Sequence, residues 1–145
     1  SCKQDVVFYC VGGGVDENLI RQYVTDNVVF TGFVDDPSDY FQEAFCFVAP
    51  LLHGAGIKVK VIEAMASGVP VITNNIGVEG IPCKSGIHYI HCDAVRDYVE
   101  AIDNLFRHRE SCEVLARNAT LLIDSIFPLE QSYEDYRSIV LDLVE

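Results

Sequence analysis

The chain has 145 residues, a length that fits one domain. Half of its residues are hydrophobic and the mean hydropathy is +0.20, which points to strands buried on both faces, while no apolar run reaches the roughly 18 residues of a membrane span. The formal net charge of −12 argues against a nucleic-acid partner, because a phosphate backbone rewards basic surfaces; a small anionic ligand needs only local positive potential and stays open.

In chain order, Asp5 to Val11 is a short apolar run followed by Gly12, Gly13 and Gly14. Asp16 to Val24 has helical spacing, with Leu19, Ile20, Tyr23 and Val24 apolar. Asn27 to Thr31 reads as a second strand closed by Gly32, and Asp35-Asp36-Pro37-Ser38 as a turn and helix start, with the helix over Ser38 to Ala44. Phe45 to Ala49 is a third strand ending at Pro50. A central helix is expected from near Gly56, then strands at Val69 to Thr73 and Ile87 to His91, and closing helices at Ala94 to Arg107, Glu110 to Ile126 and Leu129 to Leu143. Strands alternating with helices predict an α/β fold: a Rossmann-like, mostly parallel sheet with helices on both faces. In such sheets ligands sit beyond the carboxyl ends of the strands. The loops there are 12–14, 32–36, 50–56 and 73–80, and all four carry glycine or proline.

The six cysteines, Cys2, Cys10, Cys46, Cys83, Cys92 and Cys112, form no CxxC pair, and Cys10 and Cys46 lie in strand-like runs. They read as reduced structural thiols of a cytoplasmic protein, not as a disulfide frame or zinc site. His88 and His91 alternate faces if they share a strand, which disfavours a metal site; no metal and no cofactor are expected. Asp35-Asp36 is better explained as a turn and helix cap. Asn118-Ala119-Thr120 has the form of a glycosylation acceptor but falls in a helical pattern.

The chemistry concentrates in Gly54-Ala55-Gly56-Ile57-Lys58-Val59-Lys60-Val61-Ile62-Glu63-Ala64-Met65-Ala66-Ser67-Gly68-Val69-Pro70-Val71-Ile72. Glycine loop runs into helix, and helix into buried strand. The first amides of a helix lack intrahelical partners and carry partial positive charge, and Gly54 and Gly56 let an anion approach them. Lys58 and Lys60 add charges that oppose the helix dipole, which favours anion binding over capping. Glu63 is a lone carboxylate in an apolar helix, seven residues beyond Gly56 and so expected on the same face. Either it accepts from ribose hydroxyls above a bound phosphate, or it is structural, paired with Lys60 or capping a loop. His53, just before the glycines, is a candidate for a sugar hydroxyl or phosphate, and Glu79 for a phosphate or sugar edge. Val11 to Asp16 lacks the third glycine of a dinucleotide-binding turn.

With Pro50-Leu51-Leu52 before it and Ile76-Gly77-Val78-Glu79-Gly80 after it, this stretch resembles the donor-binding half of the group 1 (family four) glycosyltransferases. Asn27-Val28-Val29-Phe30-Thr31-Gly32-Phe33-Val34-Asp35-Asp36 is similar to the strand and loop upstream, and the likeness runs from Val6 to about Phe106. The resemblance implies the C-terminal half of a GT-B enzyme, two Rossmann-like domains with the active site between them. It also implies transfer of a sugar from a nucleotide diphosphate sugar, with retention and without a metal. Glu63 then matches the ribose-binding second glutamate of an E-x7-E pair. Gly54, Gly56, Ile57 and Lys58 fall on the pyrophosphate- and sugar-contacting turn, Val34 on the loop that meets the nucleobase, and Gly13 on a glycine turn. Lys58 or Lys60 would stabilise the leaving phosphate. The first glutamate of the pair would fall at position 55, where this chain has Ala55. The resemblance further implies that residues 1–145 form a partial nucleotide-sugar-binding domain, lacking a first strand and the N-terminal domain that binds the acceptor glycan or lipid. The longer enzyme would then be free to associate with a membrane, and the piece alone is expected to be inactive. Two other readings stay open: an interaction module that keeps the fold, and a GT-B nucleotide-sugar epimerase.

Overall fold

The computed structural model of the protein describes residues 6–128. The helix expected over Leu129 to Leu143 lies outside the described residues. Ten elements follow in order: β1 (Phe8–Val11), α1 (Glu17–Tyr23), β2 (Val28–Gly32), α2 (Ser38–Glu43), β3 (Phe47–Ala49), α3 (Val59–Ala66), β4 (Val71–Thr73), β5 (Ile90–His91), α4 (Val95–Arg107) and α5 (Arg109–Ile126). The described residues fall into two compact units, divided between Tyr40 and Phe41.

In the first unit β1 and β2 pair in parallel, with Phe8 opposite Val28 and Cys10 opposite Phe30. The ladder slips after Cys10, where Val11 meets Gly32, and the Gly12 amide donates to the Gly32 carbonyl at 3.1 Å. Asp16 caps α1 by accepting from the Asn18 amide at 2.8 Å. Asp36 does the same for α2, accepting from the Ser38 amide at 2.9 Å. The turn-and-cap reading of Asp35-Asp36 therefore holds at Asp36.

In the second unit the sheet order is β3-β4-β5, all parallel, in the register Ala49–Thr73–His91. Side-chain alternation splits the core across this sheet. Phe47, Ala49, Val71 and Tyr89 join Val61, Ala64 and Met65 of α3 and Ala119 and Ile123 of α5. Val48, Ile72 and Ile90 face the other way, onto Tyr98, Ala101 and Leu105 of α4 and Cys112 of α5. Helices thus cover both faces, as expected. Thr120 is used inside this packing, donating its hydroxyl to the Met65 carbonyl at 2.9 Å, so Ala119 and Thr120 serve the α3–α5 contact.

The elements differ from the expected ones in several details, and β1, β3 and β4 each begin two or three residues later, at Phe8, Phe47 and Val71. Among the described residues the parallel strands form two sheets, β1-β2 in the first unit and β3-β4-β5 in the second. Strand β5 is shorter than expected because Ile87 and His88 lie in a turn, where the His88 Nδ1 accepts from the Lys84 amide at 2.9 Å. Helix α3 begins at Val59, three residues after Gly56. Gly54 and Gly56 have φ of +133° and +75°, which no right-handed helix accommodates, so the glycines that suggested the helix start are the ones that delay it.

Gly77 is packed against the end of β4. A Cβ there would lie 1.9 Å from the Thr73 Oγ1. Gly77→Ala is expected to destabilise the protein by about 2 kcal/mol or more, read from its urea midpoint, because the blocking atom belongs to a buried side chain without freedom to move aside.

Burial raises the thiols of Cys46, Cys92 and Cys112, and Cys46, with Cys112 beside it, is pushed from 9.0 to about 11. The fold therefore favours the protonated thiol. That contribution is complete below the ordinary thiol pKa and is lost as pH rises through the raised one. Denaturation midpoints are expected to fall between pH 9 and 11, and to fall less steeply in Cys46→Val.

Candidate functional site

The loops that follow β3 and β4 meet at the carboxyl end of the second sheet. The strand pairing ends at Ala49 and Thr73, and beyond it side chains take over. Thr73 is fully buried and donates its hydroxyl to the Ala49 carbonyl at 2.7 Å. Next in the chain, Asn74 donates its Nδ2 to the Leu51 carbonyl at 2.6 Å, while its Oδ1 accepts from the Gly77 amide at 3.2 Å. The turn after β4 is thus strapped to the start of the loop after β3. Sequence reasoning marked this turn for its glycines and missed Thr73 and Asn74. The available signal was two polar residues closing a buried apolar strand.

The loop 50–58 is exposed along most of its length, including His53, Gly54, Ala55 and Gly56, and it leads to the start of α3. Lys58 occupies the position before the first helical residue and makes no side-chain cap. The first α3 amides, beginning at Val59, therefore project into the loop with the positive end of the helix behind them.

Four charged side chains surround this helix start. Lys58 donates from Nζ to the Gly56 carbonyl and lies 3.4 Å from the Glu79 Oε2. Lys60 Nζ lies 2.8 Å from the Glu63 Oε2, one turn along the helix. The Glu63 carboxylate is thus paired with Lys60, the contact named by the structural alternative. Nor is it sunk in an apolar surround. Its side chain is 40% exposed, because α3 buries Val61, Ala64 and Met65 and turns Glu63 to the helix flank. The seven-residue spacing from Gly56 loses its meaning, since Gly56 is not helical; Glu63 instead stands about one turn above the first helical residue.

The two pairs differ in burial. The Lys58 side chain is 16% exposed, whereas that of Lys60 is 61% exposed. Ile57 reaches the other loop: a Cβ on Gly80 would lie 2.8 Å from its Cγ1. Gly54, Gly56, Ile57, Lys58, Lys60, Glu63 and Glu79 are therefore gathered at one end of the second unit. Val34 and Gly13 belong to the first unit, where a Cβ on Gly13 would meet Phe33 at 3.5 Å. His91 pairs through Nε2 with the Asp93 Oδ2 at 3.0 Å.

The exposed Lys60–Glu63 pair stabilises the fold little, since solvent screens it and both chains lose rotamer freedom. Glu63→Gln is expected to shift unfolding free energy by less than about 0.5 kcal/mol, measured by chemical denaturation.

Residues 1–108 match the family described as glycosyl transferases group 1. Among curated proteins, the chain is 28% identical to YtcC of Bacillus subtilis (strain 168) over 139 residues, which is 85% of this chain and 34% of that protein. It is 29% identical over 82 residues to the O-antigen biosynthesis glycosyltransferase WclY of Escherichia coli, covering 52% of this chain and 23% of that one. The chain thus spans about a third or less of the length of these relatives. Among solved structures, HepE of Anabaena in complex with UDP superposes with a TM-score of 0.78 at 16% identity, over 94% of this chain and 42% of HepE, and the same protein is also known with UDP-glucose. That likeness shows a shared fold.

Proposed function

Because the chain belongs to the group 1 glycosyltransferases, we propose that it holds the nucleotide diphosphate sugar whose sugar, a hexose, is passed to an acceptor with retention of configuration. The observation that carries this reading is the uncapped start of α3, faced by two left-handed glycines and flanked by Lys60 and Glu63. Amides and the positive helix end suit a diphosphate. A carboxylate one turn above suits the two hydroxyls of a ribose. HepE, with the same fold, binds UDP and UDP-glucose, which supports a uridine nucleotide as the first probe.

The difficult step in such a transfer is departure of the nucleoside diphosphate. Charge grows on its outer phosphate as the glycosidic bond breaks, and donors already aimed at that oxygen stabilise it without reorganising. The α3 amides and Lys60 would supply this. Of the two lysines, Lys60 is the one exposed enough to meet a ligand, and its exchange of Glu63 for phosphate costs little. Glu63, released from Lys60, would accept from the ribose and take no part in proton transfer. His53, Glu79 and the backbone of Gly54, Gly56 and Ile57 would line the sugar end.

The acceptor is assigned to the rest of a longer enzyme, and WclY's part in O-antigen biosynthesis supports a glycan or lipid-linked glycan. Free thiols at Cys10, Cys46, Cys83, Cys92 and Cys112 support a reducing, cytoplasmic setting for this part. No described helix is long and apolar enough to cross a membrane.

By itself the chain is expected to bind nucleotide weakly and turn nothing over. Calorimetric or NMR titration with UDP, GDP and ADP checks this. Saturable binding by one of them, lost in a folded Glu63→Ala variant, supports the assignment. Absence of saturable binding by all three in a folded sample defeats it and favours an interaction module. If Glu63→Ala unfolds while Glu63→Gln binds like the wild type, Glu63 is structural.

A further inference from the structure

We propose that Lys58 is a positioning residue and not a phosphate ligand: its ammonium clamps the glycine loop to the turn after β4 and so fixes the backbone that faces the donor. This inference rests on the donor-binding reading above, but the clamp can also be read without ligand.

Three observations carry it. The first is burial. With a side chain only 16% exposed, Lys58 has given up much of its contact with water to sit between its partners, and an ammonium so withdrawn depends on them. Lys60, at 61%, has no such constraint. The second is direction. The Lys58 side chain folds back under the glycine loop: Nζ donates to the Gly56 carbonyl, and a Cβ on Gly54 would lie 3.3 Å from its Cε. Its stem fills the space that a side chain at position 54 would need. The third is that the same two loops are joined again next door, where Ile57 packs on Gly80. Lys58–Glu79 and Ile57–Gly80 grip the end of the loop, and Asn74 grips its start through the Leu51 carbonyl. Between these grips stand the two left-handed glycines, in an exposed stretch of the loop.

The roles of the two lysines are then distinct. Lys60 meets the ligand. Lys58 meets Glu79 and acts through the loop. The prediction that separates this from a direct phosphate contact concerns the acid. If Lys58 bound phosphate, Glu79 would be a competitor, and removing its charge would leave nucleotide binding unchanged or tighten it. If Lys58 is a clamp, removing the Glu79 charge weakens binding, because the loop loses its anchor.

The test compares wild type, Lys58→Met, Glu79→Gln and the double variant. UDP and uridine affinities are measured by titration, and amide hydrogen exchange over residues 54–57 by NMR. The clamp predicts that each single variant binds UDP on the order of tenfold more weakly and that the double variant is little worse than either, the non-additivity of two groups acting as one. Uridine binding is expected to hold, which a general loss of structure would not allow, and loop exchange to quicken in Glu79→Gln. Lys58→Arg is expected to restore UDP binding. Glu79→Gln that binds UDP as well as or better than wild type, beside a weakened Lys58→Met, overturns the proposal. If the wild type binds no nucleotide, the donor reading falls, and the clamp is judged on exchange alone: unchanged exchange at residues 54–57 in Glu79→Gln overturns it, and faster exchange sustains it. Lys58→Met that fails to fold leaves Glu79→Gln, half exposed and milder, to decide by the same two readouts.

Discussion

The buried hydroxyl of Thr73 is where the sheet of the second unit hands over to its loops. Up to Ala49 and Thr73, main-chain pairing aligns β3 with β4; past that register nothing in the ladder holds the two chains side by side. Thr73 extends the alignment by one bond, to the Ala49 carbonyl, and Asn74 by another, to the Leu51 carbonyl. The Ala49 carbonyl also accepts from the Leu51 amide at 3.0 Å, so it is shared between the loop that leaves β3 and the side chain that closes β4. The methyl group of Thr73 meanwhile occupies the space beside Gly77, with a Cβ at that glycine placed 3.1 Å from the Thr73 Cγ2. One side chain thus fixes the direction in which the first loop departs and forces the second to turn tightly. The clamp at Lys58, the exposure of Gly54 to Gly56 and the placement of Glu79 all follow from two loops leaving the sheet in contact.

Electrostatics at the start of α3 run against the ordinary rule for helices. Cations at the first turn oppose the dipole, and this helix has Lys58 before it and Lys60 within it, with no acidic residue in its first turn. The fold offsets this with Glu63 and Glu79, so the four charges sum to zero around the helix start. In a chain with net charge −12, such a neutral patch is the local exception that an anion needs. It also sets a limit on affinity. A phosphate entering here gains from the amides and from Lys60 but meets two carboxylates, one of which must be redirected to another donor. A ribose supplies two hydroxyl donors, and phosphate and ribose together satisfy what phosphate alone would leave opposed.

Much of this was legible in the sequence, for reasons that differ by residue. Asp36 announced a helix start because a short acid before a helical pattern has a ready local use, accepting from an amide two residues on. Val71-Ile72-Thr73 announced a strand because apolar residues on both sides of the pleat require cover on both faces. The start of α3 was misread because Gly next to a helix pattern signals proximity to a terminus without saying on which side of the glycine the helix begins; the positive φ at Gly56 decided it. The surroundings of Glu63 were misread for a related reason. Apolar neighbours in sequence are not neighbours in space, and the register that buries Val61, Ala64 and Met65 leaves position 63 on the flank beside Lys60. The division into two sheets and the strap from β4 to β3 involve residues more than twenty apart, such as Asn74 and Leu51, and no local pattern encodes such partners.

Ala55 takes on a definite meaning in this setting. It lies between two glycines in left-handed conformations, in an exposed stretch gripped at Leu51 on one side and at Ile57 and Lys58 on the other. A stretch held in this way presents main-chain groups, with only a methyl group in its middle. On the donor-binding reading, its amides suit phosphate and hydroxyl oxygens, which every nucleotide sugar carries, so the loop recognises the class of donor and not the individual sugar. Discrimination among sugars must then come from side chains at its borders. Within the second unit His53 and Glu79 stand there, the first exposed and the second with one oxygen committed to Lys58 and its side chain 52% exposed. Clamping the loop and reading the sugar would then meet in one carboxylate, so that a change at Glu79 alters both the strength of donor binding and its selectivity.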